Sequence, residues 1–211
     1  MTTSAAVVGF GLVALLLTVT PGLDTALVLR AVITRGRRDA FATAFGVIGG
    51  LVAWGVAAAV GVSALVTASS IAYDALRLVG AAYMLWLGGR ILWRLARRGA
   101  EPEAGDGAAR VVGVWRSARA GLLTNLLNPK VGAFYVAALP QFIPPGTSAL
   151  GMGLFLAAVH AALTLAWFTL LVLGAGAARR WLQRPRVTRT VEGITGAALI
   201  GFGARLALSS R

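Results

Sequence analysis

Cysteine is absent from this 211-residue sequence, and histidine and lysine occur once each, as His160 and Lys130. The lack of cysteine excludes disulfide frameworks, thiolate metal sites, iron–sulfur clusters and thiol catalysis. A single histidine excludes a multi-histidine haem or zinc site, so we expect no cofactor and no metal. Charged residues are also scarce, at 13% of the chain against about 25% in an average soluble domain.

Apolar residues are abundant instead, at 58% of the chain, and the mean hydropathy is +0.80. The formal net charge is nevertheless +13. A soluble nucleic-acid-binding protein carries its basic residues on a polar fold, and so few polar residues are present here that we expect no nucleic-acid partner. Short basic segments between long apolar runs are typical of an integral membrane protein, with the lipid bilayer as its surroundings.

Six apolar runs are long enough to cross a bilayer as helices, each of which takes about 20 residues. We therefore expect an all-α integral membrane protein with six transmembrane helices, forming one membrane domain over residues 1–211. Residues 3–96 and 111–208 are its two three-helix halves, and 97–110 is a polar cytoplasmic linker. The runs are Ser4–Val32, Ala40–Val66, Ile71–Leu95, Val111–Phe142, Ala149–Ala178 and Val191–Leu208.

Arginines mark the orientation, because cytoplasmic connectors carry an excess of basic residues. They cluster in and around the odd-numbered connectors, which we therefore expect in the cytoplasm, with both termini outside. Alternatively, residues 21–24 break the first run completely, the piece before them is re-entrant or interfacial, and the amino terminus changes sides. The clustered arginines are Arg35, Arg37, Arg38, Arg90, Arg94, Arg97, Arg98, Arg110, Arg116, Arg119, Arg179, Arg180, Arg184, Arg186 and Arg189.

The first and fourth helices are interrupted at corresponding positions, Pro21 and Asn128-Pro129, whose prolines lie 108 positions apart. An odd number of spans in each half makes the two halves inverted repeats, and matched interruptions point to a substrate site at the repeat interface. Proline removes an amide proton and opens the helix. In lipid, the freed carbonyls must be satisfied by protein, water or substrate.

A charged residue accompanies each interruption: Asp24 follows the first, and Lys130 follows the second. A charge at the bilayer centre costs roughly 2.5–3.5 kcal/mol and indicates function. Asp24 would bind a substrate ammonium or a proton, and Lys130 a carboxylate. The alternative is a structural Asp24–Lys130 ion pair, which could also open as a gate. The candidate transport site comprises Thr20, Pro21, Gly22, Asp24, Thr25, Asn125, Asn128, Pro129 and Lys130. Thr124 supplies a further hydrogen-bonding group at the same depth.

His160 lies in the fifth span, four residues before Thr164 and on the same helical face. One hypothesis makes it a proton relay together with Asp24, because histidine titrates near neutral pH. The other, which we prefer, makes it a hydrogen-bonded packing residue.

A small-xxx-small pattern occurs at Gly46 and Gly50 in the second span and permits close approach between helices. In a chain with 27 glycines such patterns are common. We interpret this one as tight internal packing, or as the face of a homodimer.

Two segments resemble the LysE/RhtB family of bacterial amino-acid exporters. Thr20–Arg30 (TPGLDTALVLR) is similar to its first-span motif, and Gly121–Lys130 (GLLTNLLNPK) to its central motif, which continues through Phe134 to Leu139–Phe142 (LPQF). The resemblance covers essentially the whole chain. The family often has Pro-Gly-Pro-Asn where this chain has Pro-Gly-Leu-Asp, so a carboxylate replaces an amide at Asp24.

This resemblance implies a secondary active exporter of amino acids or close derivatives, located in the inner membrane and driven by the proton gradient or by exchange. Its mechanism would be alternating access, and the protein would not be an enzyme. The rival hypotheses are a non-transporting membrane scaffold and an intramembrane enzyme using Asp24 or His160. A transporter should show a polar cavity between the broken helices, an enzyme convergent reactive groups, and a scaffold a filled apolar centre.

Overall fold

The computed structural model describes residues 2–68, 70–98, 113–175 and 184–208, which are mostly helical and include no strand. Residues 99–110 of the predicted linker lie outside these ranges. The described helices are α1 (Thr3–Val19), α2 (Leu23–Arg35), α3 (Arg37–Ala68), α4 (Ser70–Arg98), α5 (Val114–Leu126), α6 (Pro129–Ala138), the 3-10 turn Leu139–Phe142, α7 (Ala149–Leu173) and α8 (Pro185–Leu208).

Two described helices are long and apolar enough to cross a membrane: the Arg37–Ala64 part of α3 and all of α7, with mean hydropathies of 2.0 and 2.1. Helices α1 and α2 meet the same criterion together, but they are bent by 52° at the break between them. The described residues therefore form an all-helical membrane protein with two such spans, or three if the bent pair is one span.

Both predicted interruptions are present. Helix α1 ends at Val19 and α2 begins at Leu23, so the first break surrounds Pro21. Helix α5 ends at Leu126, and Pro129 is the first residue of α6, where its missing amide proton costs nothing. The Asn128 side chain caps α6 by accepting from the Lys130 amide at 3.1 Å. The second break is therefore fixed by a side chain as well as by proline.

The core joins the two breaks to α3 and α7. One apolar cluster contains residues of α1, α3, α6 and α7, and includes Phe10, Phe134, Tyr135 and Leu156. A second cluster packs Val28 and its neighbours on α2 against α3 and α7. Helices α3 and α7 thus contribute to both clusters and form the frame against which the broken helices pack.

Helices α3 and α5 pack so closely that their backbones are in contact. A Cβ atom added to Gly46 would lie 2.0 Å from the Ala118 carbonyl oxygen, and one added to Gly121 would lie 2.1 Å from that of Thr43. Gly50 also faces Asn125 across this crossing. The interpretation of Gly46 and Gly50 as an internal packing surface is therefore confirmed. Because α5 occupies this face, a homodimer would need another surface.

We expect Gly46→Ala to destabilise the protein by about 3 kcal/mol or more, since the new methyl group collides with backbone that cannot rotate away. Gly61→Ala is the matched control on the same helix, because a Cβ there meets nothing within 4 Å. The measurement is thermal unfolding of both variants in one detergent. Equal unfolding temperatures for Gly46→Ala and Gly61→Ala would contradict the close contact between α3 and α5.

Candidate functional site

The Asp24 carboxylate, in the first turn of α2, is bound by two amides from the other broken helix. Asn125 and Asn128 both donate to its Oδ2, at 2.9 and 3.1 Å. Because Asn128 Oδ1 already accepts from the Lys130 backbone, the Asn128 amide nitrogen is the group that faces Asp24. The cap of α6 and the support of Asp24 are therefore one arrangement.

The Lys130 ammonium makes the reverse connection, from the second break to the first. Its Nζ donates to the carbonyl oxygens of Leu17 and Thr20, each at 3.3 Å. These carbonyls lie at the carboxyl end of α1, where the helix dipole is negative. Lys130 also interacts electrostatically with Asp24. Each break thus supplies the partners for the charge carried by the other.

A narrow cavity of about 30 Å³ lies between the breaks. Two acceptors at the site, Asp24 Oδ1 and Asn125 Oδ1, are buried and receive no hydrogen bond from the described residues. Such acceptors favour a ligand that donates hydrogen bonds. Polar residues form much of the cavity wall, and its apolar part consists of Leu17, Val47, Leu51, Val131 and Phe168.

Most of the residues predicted from sequence lie together at this cavity. Pro21 is in the first break but does not line it, and Thr124 does not line it either. Pro129 begins α6, and its side chain lies outside what the structure describes. The predicted residues in the cavity wall are Thr20, Gly22, Asp24, Thr25, Asn125, Asn128, Lys130 and His160.

His160 has a hydrogen-bond partner at each ring nitrogen. Its Nε2 lies 3.1 Å from Thr18 Oγ1, and its Nδ1 lies 3.2 Å from the Tyr135 hydroxyl. Since the Thr18 hydroxyl donates to the Ala14 carbonyl at 2.7 Å, it accepts from Nε2, and Tyr135 donates to Nδ1. The rings of Phe10, Phe134 and Tyr135 surround the imidazole. This geometry matches a neutral, hydrogen-bonded packing histidine.

Three residues at or beside the cavity were not predicted from the sequence. Thr18 lines the cavity, and Tyr135 and Thr195 hydrogen-bond to its lining residues His160 and Thr20. Tyr135 is fully buried, and a tyrosine in the interior of an apolar run, five residues after Lys130, is the signal that could have identified it. Thr195 of α8 is buried and hydrogen-bonds to Thr20 in the first break. It lies 175 positions from Thr20, so no local pattern indicates that contact.

The family of the chain follows from comparison with known proteins. The family model described as LysE type translocator matches residues 15–210. The chain belongs to this family. It is therefore a membrane transport protein and not an enzyme.

Characterised and uncharacterised relatives of this LysE family protein match nearly its whole length. It is 31% identical to the leucine efflux protein of Enterobacter sp. (strain 638), over 89% of this chain and 88% of that protein. It is 29% identical to the threonine efflux protein of Escherichia coli (strain K12), over 90% and 91%. An uncharacterized membrane protein of Bacillus subtilis is 28% identical over 93% and 96%. No solved structure matches the chain significantly.

We expect the two charges of this LysE family protein to be coupled in stability. Lys130→Met should destabilise it because Asp24 loses a neighbouring cation, and Asp24→Asn in the same chain should recover part of the loss. A double-mutant cycle should give about 1–3 kcal/mol of interaction, less than a fully buried pair because both side chains are only half-buried. Unfolding in detergent measures the cycle, and strictly additive effects would contradict the coupling.

Proposed function

We propose that this protein is a secondary active exporter of amino acids or close derivatives, working by alternating access in the bacterial inner membrane and coupled to the proton gradient. The observation that carries the proposal is the reciprocal connection between the breaks: Asp24 on the amides of the second, and Lys130 on the carbonyls of the first. A scaffold has no need of two charges beside matched breaks, and an enzyme would converge reactive groups on one atom.

The architecture in this proposal has six spans in two inverted halves, residues 3–96 and 111–208, joined by the cytoplasmic linker 97–110. Helices α1 with α2, and α5 with α6, are then the broken first span of each half. The odd-numbered connectors are cytoplasmic, as the arginine distribution favours. Opposite orientation of the halves lets one rock against the other around a fixed site.

A zwitterion suits the charges of the site. The substrate ammonium donates to Asp24 Oδ1 and Asn125 Oδ1, the two buried acceptors without a described partner. Its carboxylate lies beside Lys130 and the amino-terminal end of α2, where the helix dipole is positive. Gly22 leaves space there, since a Cβ at this position would lie 3.2 Å from Lys130 Nζ.

A neutral amino acid fits this cavity better than a charged one. Asp24 and Lys130 bring opposite charges to the wall, so a net charge on the substrate would have no counterion among the described lining residues. The apolar part of the wall accommodates an aliphatic side chain. Two relatives, named leucine efflux protein and threonine efflux protein, support the same class. Because the cavity is narrow in this conformation, substrate entry requires the two breaks to separate.

Asp24 is the proton-coupling residue in this proposal, because protonation would release the substrate ammonium and weaken the hold of the two amides. His160 was the other relay candidate. Both of its nitrogens are engaged by hydroxyl groups inside an aromatic enclosure, which supports the packing role instead.

Efflux from proteoliposomes preloaded with labelled leucine, threonine, lysine or glutamate tests this function. With an imposed proton gradient, we expect efflux of leucine and threonine and not of the charged pair. Lys130→Met should reduce efflux by about tenfold or more, the equivalent of one charge-assisted hydrogen bond. Asp24→Asn should retain exchange of internal for external substrate while losing its dependence on the gradient.

Two controls remove the same charges outside the cavity: Arg38→Met for the lysine and Asp39→Asn for the aspartate. Both should transport like the parent protein. Absence of efflux for every amino acid from folded, inserted protein would refute the substrate class. If the controls lost as much efflux as Lys130→Met and Asp24→Asn, the site would be refuted.

For His160 we expect that His160→Gln, which keeps hydrogen-bonding groups, retains gradient-driven efflux. His160→Leu should lower stability by about 1–3 kcal/mol, because the Tyr135 hydroxyl loses its acceptor in a buried place. Unfolding temperature and gradient-driven efflux are measured on both variants. Loss of gradient dependence in His160→Gln, with exchange intact, would instead identify a proton relay.

A further inference from the structure

Helix α4 carries an exposed stripe of alternating tryptophan and arginine. Trp86, Arg90, Trp93 and Arg97 follow one another at spacings of four, three and four residues, so they share one face of the helix. All four side chains are exposed, the two indoles by 52% and 56%. We call these four residues the Trp–Arg stripe.

The stripe lies on the face of α4 opposite its contact with α8. Helix α4 packs against α8 through Gly88 and Leu92: a Cβ on Gly88 would lie 2.7 Å from the Gly196 carbonyl oxygen, and one on Gly196 would lie 2.9 Å from Leu92. At 3.6 residues per turn, the stripe lies roughly 140–180° around α4 from Gly88. In the proposed placement of α4 across the membrane, this face meets the lipid and the membrane surface.

Each arginine of the stripe is held over the ring of the tryptophan before it. The Arg90 guanidinium lies 5.2 Å from the Trp86 ring centroid, and that of Arg97 lies 4.7 Å from the Trp93 ring. Cation–π contacts of this kind orient a guanidinium without neutralising it. The two cations are thus spaced along one face, with their hydrogen-bond donors available to an anion.

The position along α4 matches the headgroup region. A hydrocarbon core of about 30 Å takes 20 residues of helix, so a span that begins at Ser70 leaves the core near Arg90. Trp86 then lies just inside the boundary, where indole rings concentrate. Arg97 lies about 10 Å beyond Arg90 along the helix axis, on the side away from the hydrocarbon core.

We propose that the Trp–Arg stripe is a binding site for an anionic glycerophospholipid, with the lipid phosphate between the two guanidinium groups and the acyl chains along the Trp86 side of α4. Guanidinium groups bind phosphate oxygens in a bidentate manner. The formal charges of the stripe are all positive, which complements an anionic headgroup and not a zwitterionic one. This site rests on the proposed placement of α4 across the membrane and is independent of what is transported.

Native mass spectrometry of the full chain in a neutral detergent tests the site, with phosphatidylglycerol and phosphatidylcholine of identical acyl chains as probes. We expect preferential binding of phosphatidylglycerol. The double variant Arg90→Gln, Arg97→Gln should bind it about thirtyfold more weakly, roughly fivefold for each arginine near an anionic surface. The matched control, Arg38→Gln with Arg116→Gln, removes two exposed arginines elsewhere and should bind within about twofold of the parent chain.

Several outcomes would overturn the proposal. Equal binding of the two lipids, or an equal loss in the control, would mean that no headgroup site exists. Displacement of the lipid by millimolar inorganic phosphate would indicate a free-anion site. Another contrary outcome is that phosphatidylglycerol binds only after the acidic linker residues Glu101, Glu103 and Asp106 are neutralised. In that outcome the linker occupies the stripe in the parent protein, and the stripe is not a lipid site there.

The placement of α4 has its own measurement, so the two failures are distinguishable. Lipids brominated on their acyl chains should quench Trp86 fluorescence, obtained as the difference between the parent chain and Trp86→Phe, whichever headgroup they carry. Quenching without phosphatidylglycerol preference would refute the lipid site and retain the span. Absence of quenching would refute the placement of α4 and, with it, the site as proposed here.

Discussion

The reciprocal contact between the two broken helices is the interaction on which the centre of this protein depends. Breaking a helix leaves carbonyl and amide groups that must be satisfied, and a charge in an apolar environment must be compensated. Here one arrangement meets both requirements. Carbonyls freed at the end of α1 receive Lys130, and amides at the second break receive Asp24. Removing either charge therefore disturbs both breaks.

The frame around this contact is rigid for a different reason. Helices α3 and α5 touch at glycine, where the approach is so close that a methyl group would overlap a carbonyl. On the other side, His160 connects α7 to α1 and α6 through Thr18 and Tyr135. The narrow cavity thus lies between well-packed elements. A ligand could donate hydrogen bonds to its two buried acceptor atoms that have no partner among the described residues.

The candidate site was largely predictable because its residues are unusual for their surroundings. Asp24 and Lys130 are charges in apolar runs, and each is next to a proline that breaks a helix. Pairing the two segments needed only the similarity of their positions in the chain. The partners could not be assigned, since nothing local shows that the Asn125 and Asn128 amides meet Asp24. The Tyr135 hydroxyl is unusual in an apolar run, but nothing local shows that its partner is His160 on another helix.

The helical membrane character, both interruptions and the charges beside them follow from local sequence, because hydropathy and proline act over a few residues. Which groups satisfy those charges, and which glycines form the close crossing, depends on how the helices pack. The packing also places His160 within an aromatic enclosure. These features depend on contacts between residues on different helices, such as Gly46 with Ala118, Thr18 with His160 and Tyr135 with His160. Only the packed chain brings such groups together.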